Sequence, residues 1–363
     1  MTSLKPNRGI LNIAPYVGGK SNAPGRVHPV KLSSNETPLG ASPRAQDAYL
    51  AAVGDLARYP DGGCKALREG LAAAHGLESD RIVCGNGSDD ILALLAQAYV
   101  QPGDEVLYSQ YGFVVYKQVA LSNSATPVSV QEINFSADVD GLLSAVTDKT
   151  RIVYLANPNN PTGTYLTESE VKRFHAALPS DVLLVLDAAY AEYVEEADYE
   201  PGVDLVNSSD NVVMTRTFSK IYGLAALRLG WSYCSPSITD VLSRIRGPFN
   251  VNAPAQAAGL AALADTEFMD KAVIYNREWR DWLAKELSSL GFDITPSVAN
   301  FVLIHFDRES GHSADDADAF LLSRGLILRR LEAYGLPDCL RLSVGCEEDN
   351  RSVVAALKEF IAN

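Results

Sequence analysis

The segment Arg216-Thr217-Phe218-Ser219-Lys220-Ile221-Tyr222-Gly223-Leu224-Ala225 sets one lysine among Ser, Thr, Gly and Ala, just beyond a strand-like apolar run from Asn211 to Thr215. Eight residues after the lysine comes Arg228, in Leu227-Arg228-Leu229-Gly230-Trp231. An amine placed where a strand gives way to a loop is where a Schiff-base lysine sits. The plain alternative is a solvated surface lysine, since lysines are mostly exposed.

Two upstream segments weigh against that alternative. Asn157-Pro158-Asn159-Asn160-Pro161-Thr162-Gly163 and Leu186-Asp187-Ala188-Ala189-Tyr190 each close an apolar strand-like run, as Lys220 does. Three polar clusters at three strand ends make a site. Taken singly, the Asn-Pro-Thr-Gly segment is good turn chemistry and Asp187 could be a helix cap, so it is their joint occurrence that carries weight.

Working outward, short apolar runs alternate with helical patterns from about residue 80 onward, which predicts βαβ units and a largely parallel sheet. Strands are expected at Arg81–Cys84, Glu105–Tyr108, Pro127–Val130, Ile152–Leu155, Val182–Leu186, Val212–Thr215 and Gly230–Tyr233. Helices are expected at Asp89–Val100, capped by Ser88, and at Phe113–Ser122, Glu168–Ala177 and Ile238–Arg246. After Pro254 the pattern changes to a long amphipathic helix, Phe268 to Leu290, then Phe301–Phe306, Ala314–Ser323, Ile327–Leu331, Leu340–Val344 and a terminal helix from Glu347. The expected fold is α/β: a large domain over 31–262 with a mostly parallel seven-stranded sheet, plus a smaller α+β domain from 1–30 and 263–363.

Composition narrows the functions. A chain of 363 residues, 47% hydrophobic, can bury a sizeable core. Its formal charge of -14 argues against nucleic acid as a partner, because binding phosphate backbones needs basic surface. The five cysteines, Cys64, Cys84, Cys234, Cys339 and Cys346, are scattered without a CxxC pair, and the five histidines have no ligand spacing, so neither a disulfide frame nor a metal is expected. Met1 to Asn12 lacks the apolar core of a secretory signal, and no run approaches the ~20 apolar residues of a membrane span, so a soluble cytoplasmic protein is expected.

An Asp, a Tyr three residues later, an Asn before Pro-Thr-Gly, a lysine and an arginine at strand ends of an α/β sheet suit pyridoxal phosphate. The lysine, Lys220, joins its aldehyde, and a carboxylate, Asp187, keeps the pyridine nitrogen protonated so that the ring takes up electrons. An Asn amide and a Tyr hydroxyl, Asn160 and Tyr190, donate to the ring's phenolic oxygen. Backbone N–H groups at a helix start, in Gly85-Asn86-Gly87-Ser88-Asp89, with Ser219 and Arg228, would hold the phosphate. Gly87, Ser88, Asp89 and Thr217 are counted with the cofactor-binding residues. Gly85 to Ser88 alone would be an ordinary strand–turn–helix connection.

These motifs, with Lys31-Leu32-Ser33-Ser34-Asn35-Glu36-Thr37-Pro38-Leu39-Gly40, Arg58-Tyr59-Pro60-Asp61, Asn300-Phe301-Val302-Leu303 and Leu340-Arg341-Leu342-Ser343-Val344-Gly345, resemble the fold-type I aminotransferases of class I/II over nearly the whole chain. Within that family they are most similar to the histidinol-phosphate aminotransferases. The resemblance implies Lys220 as the Schiff-base lysine, Asp187 on the pyridine nitrogen, and Asn160 and Tyr190 on the phenolate. It implies a homodimer in which Tyr59 reaches the cofactor phosphate of the neighbouring subunit, and an aromatic Tyr111 stacked on the cofactor ring. Around Tyr111 the chain departs from the family's more familiar forms, reading Ser109-Gln110-Tyr111-Gly112-Phe113-Val114-Val115-Tyr116. For substrate it implies Arg341 for the glutamate carboxylate or the polar groups of the phosphorylated substrate, Arg329 and Tyr16 near the substrate phosphate, and Asn35 lining the same cleft. A solvated strand edge is the plain alternative for Arg329 and Arg330.

The implied reaction passes an amino group from L-glutamate, released as 2-oxoglutarate, to 3-(imidazol-4-yl)-2-oxopropyl phosphate, giving L-histidinol phosphate in histidine biosynthesis. Three alternatives stand beside it. An aromatic amino-acid aminotransferase, or one enzyme doing both jobs, would use the similar flatness and size of phenyl and imidazole. A phosphothreonine decarboxylase would share much of the constellation and cleave a different bond. A cofactor-binding DNA regulator would need a basic helix-turn-helix, which a chain of charge -14 does not show.

Overall fold

The computed structural model describes residues 4–15, 18–25, 28–307 and 311–362. Its strands among those residues are β1 (Val30–Lys31), β2 (Ile82–Gly85), β3 (Glu105–Ser109), β4 (Thr126–Val130), β5 (Thr150–Ala156), β6 (Leu183–Asp187) and β7 (Val212–Thr217). They continue with β8 (Gly230–Cys234), β9 (Asp293–Thr295), β10 (Phe301–His305), β11 (Leu326–Ile327), β12 (Arg329–Arg330) and β13 (Cys339–Ser343).

Seven of these form one sheet in the order β2-β8-β7-β6-β5-β3-β4. All neighbours run parallel except at β8, which is antiparallel to both β2 and β7. Central strands of such a sheet are covered on both faces, which is why they read as unbroken apolar runs. In β5, Val153 and Leu155 enter one core cluster with Leu184, Leu186 and Trp231, while Ile152 and Tyr154 enter a second with Val185, Val213 and Tyr116. A third cluster, built from Leu283, Val302, Ile304, Leu321, Leu340 and Leu357, lies under a four-stranded antiparallel sheet of order β12-β13-β10-β9. The chain reaches that region early, because β1 pairs in parallel with β11.

The expected strands of the large sheet are all present, shifted or extended by a residue or two. Three local differences have physical causes. The run expected as one strand, Ile327–Leu331, is divided between β11 and β12, which join different sheets on either side of Leu328. Ser88 does not cap its helix: the helix is Ser88–Tyr99, and Gly87 precedes it at φ 88 with no side-chain cap. Helices at Pro43–Ala52, Lys65–His75, Val139–Ala145, Val203–Ser208 and Ala253–Leu263 lie outside the expected set. The last of these, Ala-Pro-Ala-Gln-Ala-Ala-Gly-Leu-Ala-Ala-Leu, is apolar nearly all round, so no polar stripe gives it a helical period.

Candidate active site

Parallel strands β5, β6 and β7 are neighbours, so their carboxyl ends deliver Asn157–Asn160, Asp187–Tyr190 and Thr217–Lys220 to one edge of the sheet. In open α/β sheets this edge is where ligands bind. Because β8 runs the other way, the residue that precedes it arrives at the same edge, and Arg228 does so at φ 52. Gly230 at the start of β8 packs against the start of the helix Ser88–Tyr99: a Cβ there would lie 2.3 Å from the Ser88 nitrogen, so only glycine allows the approach. The result is a cleft of about 260 Å³ whose wall includes Ser88, Asp89, Asn160, Asp187, Tyr190, Thr217, Ser219, Lys220 and Arg228.

The Lys220 amine projects into this cleft with Nζ 5.6 Å from the centre of the Tyr190 ring. Burial, and next the Arg341 guanidinium, lower its pKa to about 8. A lysine so depressed holds a useful fraction of neutral, nucleophilic amine near neutral pH. Asp187 is 5% exposed, and burial raises its carboxyl to about 6 in spite of hydrogen bonds from Tyr116 Oη at 2.8 Å and Thr215 Oγ1 at 3.3 Å. An acid in that state gains from a cationic N–H placed beside it.

At the other end of the cleft the groups suit an anion. The helix Ser88–Tyr99 points its uncapped amino end there, with the hydroxyls of Ser88, Thr217 and Ser219 and the Arg228 guanidinium around it. Arg228 is held in place by Ser219 Oγ at 3.3 Å, the Ala225 carbonyl at 3.1 Å and Asp89 Oδ2 at 3.3 Å. A Cβ at Gly87 would lie 2.4 Å from Arg228 Nη2, so the glycine makes room for the guanidinium. A cradle of free helix N–H groups, hydroxyls and a fixed guanidinium matches a phosphate. Together with the buried acid and the depressed lysine, the residues present fit pyridoxal phosphate.

Above the cleft, Arg341 of β13 is 5% exposed and donates to Asn160 Oδ1 and, at 2.9 Å, to the Ser33 carbonyl. Asn35 is buried at φ 56 and donates to Tyr190 Oη at 2.8 Å. Its own backbone is fixed by Ser343 Oγ at 2.8 Å and by the Asn300 amide at 3.0 Å. Arg329 stands opposite Arg341 in the β12–β13 register, so the two guanidinium side chains share a sheet face. Arg330 is turned to an acidic set, Asp315, Asp318 and Glu332.

Of the expected residues, Tyr111 is placed differently, whereas Tyr59 is expected in the neighbouring subunit's site. Tyr16 lies outside the described residues. Tyr59 is away from the cleft, 83% exposed and stacked on Phe249 at 4.7 Å. Tyr111 is not in the cleft wall but stacked on Phe135 at 6.0 Å, while Phe113, two residues on, lines the cleft. The turn at Ser109–Gly112 makes this exchange, since Gly112 N bonds back to the Ser109 carbonyl. Sequence reasoning gave no role to Tyr116, Phe113, Ser343 or the Lys31–Glu36 ion pair at 2.9 Å. Tyr116 sits in an apolar helix, Val114–Ser122, and nothing in its spacing marks it as polar in function.

Comparison with known proteins agrees with this geometry. The family model of class I and II aminotransferases matches residues 27–357. The chain is 54% identical over 359 residues to a histidinol-phosphate aminotransferase of Maricaulis maris and 52% identical over 361 residues to one of Paramagnetospirillum magneticum, covering 99% of each chain in both cases. Among solved structures, it is similar to the histidinol-phosphate aminotransferase of Sinorhizobium meliloti in complex with pyridoxal-5'-phosphate, at TM-score 0.87 and 30% identity over 92% of this chain and 91% of that one. The lysine, acid, cradle and arginines thus stand in a chain that belongs to the class I and II aminotransferase family, among the histidinol-phosphate aminotransferases.

Proposed function

We propose that this chain is a pyridoxal-phosphate-dependent transaminase that exchanges an amino group between L-glutamate/2-oxoglutarate and L-histidinol phosphate/3-(imidazol-4-yl)-2-oxopropyl phosphate, a step of histidine biosynthesis. The observation that carries the reading is the pairing, in one cleft, of a lysine lowered to about 8 with a buried acid raised to about 6. The 52–54% identity over full length to histidinol-phosphate aminotransferases supports the choice of substrate.

When bound, the cofactor supplies a carbonyl for the amine and a protonated ring that takes up the electrons of a breaking Cα–H bond. Asp187 holds the ring nitrogen's proton, and Asn160 and Tyr190 donate to the phenolic oxygen. Ser88, Thr217, Ser219, Arg228 and the helix amino end grip the phosphate, with Gly87 giving the space and the Asp89 carboxylate orienting Arg228. Lys220 would join the cofactor's aldehyde and, as a general base, would take and return the proton on the substrate's Cα. Arg341 takes a carboxylate bidentately, and Arg329, on the same face, takes the substrate phosphate. Asn35 lines the substrate side, fixed by Ser343.

Steady-state comparison of L-histidinol phosphate with L-phenylalanine and L-tyrosine tests the substrate. The expected result is a kcat/KM for histidinol phosphate at least tenfold above the aromatic acids, because Arg329 rewards the phosphate with charge-assisted hydrogen bonds. A larger value for phenylalanine or tyrosine would make the aromatic reading the correct one.

The functional unit in this reading is a homodimer with Tyr59 reaching the neighbour's phosphate cradle. Tyr59 at 83%, Leu56 at 66% and Leu50 at 65% exposed leave apolar side chains uncovered on one chain, as an interface would. Chains carrying Lys220→Ala, mixed with chains carrying Tyr59→Phe, are expected to regain cofactor affinity and turnover above either parent, since each mixed pair contains one intact site. No gain on mixing, with pairing shown by sedimentation, would place Tyr59 outside the neighbour's site.

A further inference from the structure

Each oxygen of the Asp187 carboxylate receives one hydroxyl from the protein. Tyr116 Oη donates to Oδ2 at 2.8 Å, and Thr215 Oγ1 donates to Oδ1 at the longer distance of 3.3 Å. Tyr116 is fully buried, and an aromatic box prevents its ring from sliding. The ring lies parallel to Tyr154, with centroids 4.9 Å apart and planes at 1°, meets Phe113 edge-on at 6.0 Å, and is tilted against Tyr108 at 6.2 Å. Tyr154 is itself anchored, its hydroxyl donating to the Leu92 carbonyl at 2.8 Å. Three buried tyrosine rings and the half-buried Phe113, with one hydroxyl aimed at one carboxylate oxygen, make a device for holding that oxygen still.

We propose that Tyr116 is a positioning residue for the active site: its fixed hydroxyl orients the Asp187 carboxylate toward the cleft and keeps it ionised at neutral pH, ready for the cofactor's ring nitrogen. The proposal rests on the cofactor reading above and extends it to a residue that does not touch the cofactor. The phenols of Tyr154 and Tyr199 lie within reach of Asp187's charge, and four groups bear on it most from the elements packed against it. They are Tyr116 from the helix Val114–Ser122, Thr215 from β7, Lys220 from the loop after β7, and Asp89 from the helix Ser88–Tyr99. Burial and Asp89 favour the neutral acid, whereas Tyr116, Thr215 and Lys220 favour the ion. Tyr116 is the foremost of those three, and removing it must move the titration upward. Because a neutral Asp187 cannot hold a cationic ring nitrogen, cofactor affinity then falls away at a higher pH.

The test is cofactor affinity, by titration with pyridoxal phosphate between pH 5 and 8, in the Lys220→Ala chain, where the lysine's own titration drops out. The parent is expected to lose affinity as pH falls through a midpoint above the value of about 6 that Asp187 has beside Lys220, because the cation that favours its ion is gone. Adding Tyr116→Phe is expected to raise that midpoint by about one pH unit, the worth of a hydrogen bond to a charged group, and to weaken binding roughly threefold near pH 6.5 and about tenfold well below the midpoint. Replacing Tyr116 with 3-fluorotyrosine, whose hydroxyl is more acidic and a stronger donor, keeps the packing and should move the midpoint downward. A role in packing alone would weaken binding equally at every pH. Unmoved midpoints in both variants, with the parent binding normally, would overturn the proposal and leave the cofactor reading standing. A parent and a wild-type chain that both fail to bind would overturn the two together.

Discussion

Replacing Lys220 with alanine is expected to lower kcat by at least 10⁴-fold while the protein still binds pyridoxal phosphate and its amino substrates. The lysine is asked for two things, a nucleophilic amine and a base within reach of the substrate carbon, and general base catalysis by itself contributes about 10²–10⁴-fold. Among the described residues, the one other amine lining the cleft is Lys31, engaged at 2.9 Å by Glu36. Asp187, the Arg228 cradle and Arg341 are untouched by the change, so the variant should give a stable absorbance band of cofactor and substrate together. The measurement is a stopped-flow and steady-state comparison of wild type and Lys220→Ala, with spectra of the variant before and after substrate. Turnover within 100-fold of wild type would remove Lys220 from its role.

The second large effect concerns Asp187 and has two signs. Asp187→Asn should reduce kcat by about 10²–10³-fold, because the neutral amide cannot balance a protonated ring nitrogen in a buried site. The same change should stabilise the chain without cofactor. A carboxyl raised from 3.8 to about 6 binds more protons folded than unfolded between those values. Folding stability therefore falls as pH rises through that window and stays lowered above it, by on the order of 3 kcal/mol. Asparagine carries no such cost and can still accept from Tyr116. Denaturant unfolding of the apo-proteins at pH 8 should thus show Asp187→Asn more stable than wild type, with the gap narrowing toward pH 4. An apo-variant less stable than wild type at pH 8 would show that the acid is not strained in this way. Stability given up for function is common at active sites.

The site was legible in the sequence to the extent that it sits at strand ends. Apolar runs covered on both faces are the strongest short signal a parallel sheet gives, and β5, β6 and β7 each end in the polar residues that line the cleft. What the runs do not contain is their lateral order. That Arg228 reaches the same edge depends on β8 running backwards, and that Arg329 stands beside Arg341 depends on the β12–β13 register. Arg228 was named from its place eight residues after the lysine, whereas Arg329 and Arg341 were named from resemblance. Gly87 was read as part of the cradle, but its place as the uncapped start of the helix, in contact with Arg228, needed the folded chain. Tyr111 and Phe113 exchange places across a tight turn, a two-residue matter that strand and helix periods cannot resolve. Tyr59 has no partner group that one chain could show, because its proposed contact belongs to a second copy. Tyr116 was hidden for the opposite reason: a tyrosine in an apolar helix looks like core, and it is core on every side but its hydroxyl.

The most direct measurement is the half-reaction. The purified protein with pyridoxal phosphate is mixed separately with L-histidinol phosphate, L-glutamate and L-phenylalanine, and the cofactor's long-wavelength absorbance is followed in time. Conversion of the cofactor from its aldehyde to its amine form is expected with histidinol phosphate and with glutamate, and more slowly with phenylalanine. Fastest conversion by phenylalanine would contradict the substrate, and no spectral change with any amino donor, on a protein that holds the cofactor, would contradict transamination itself.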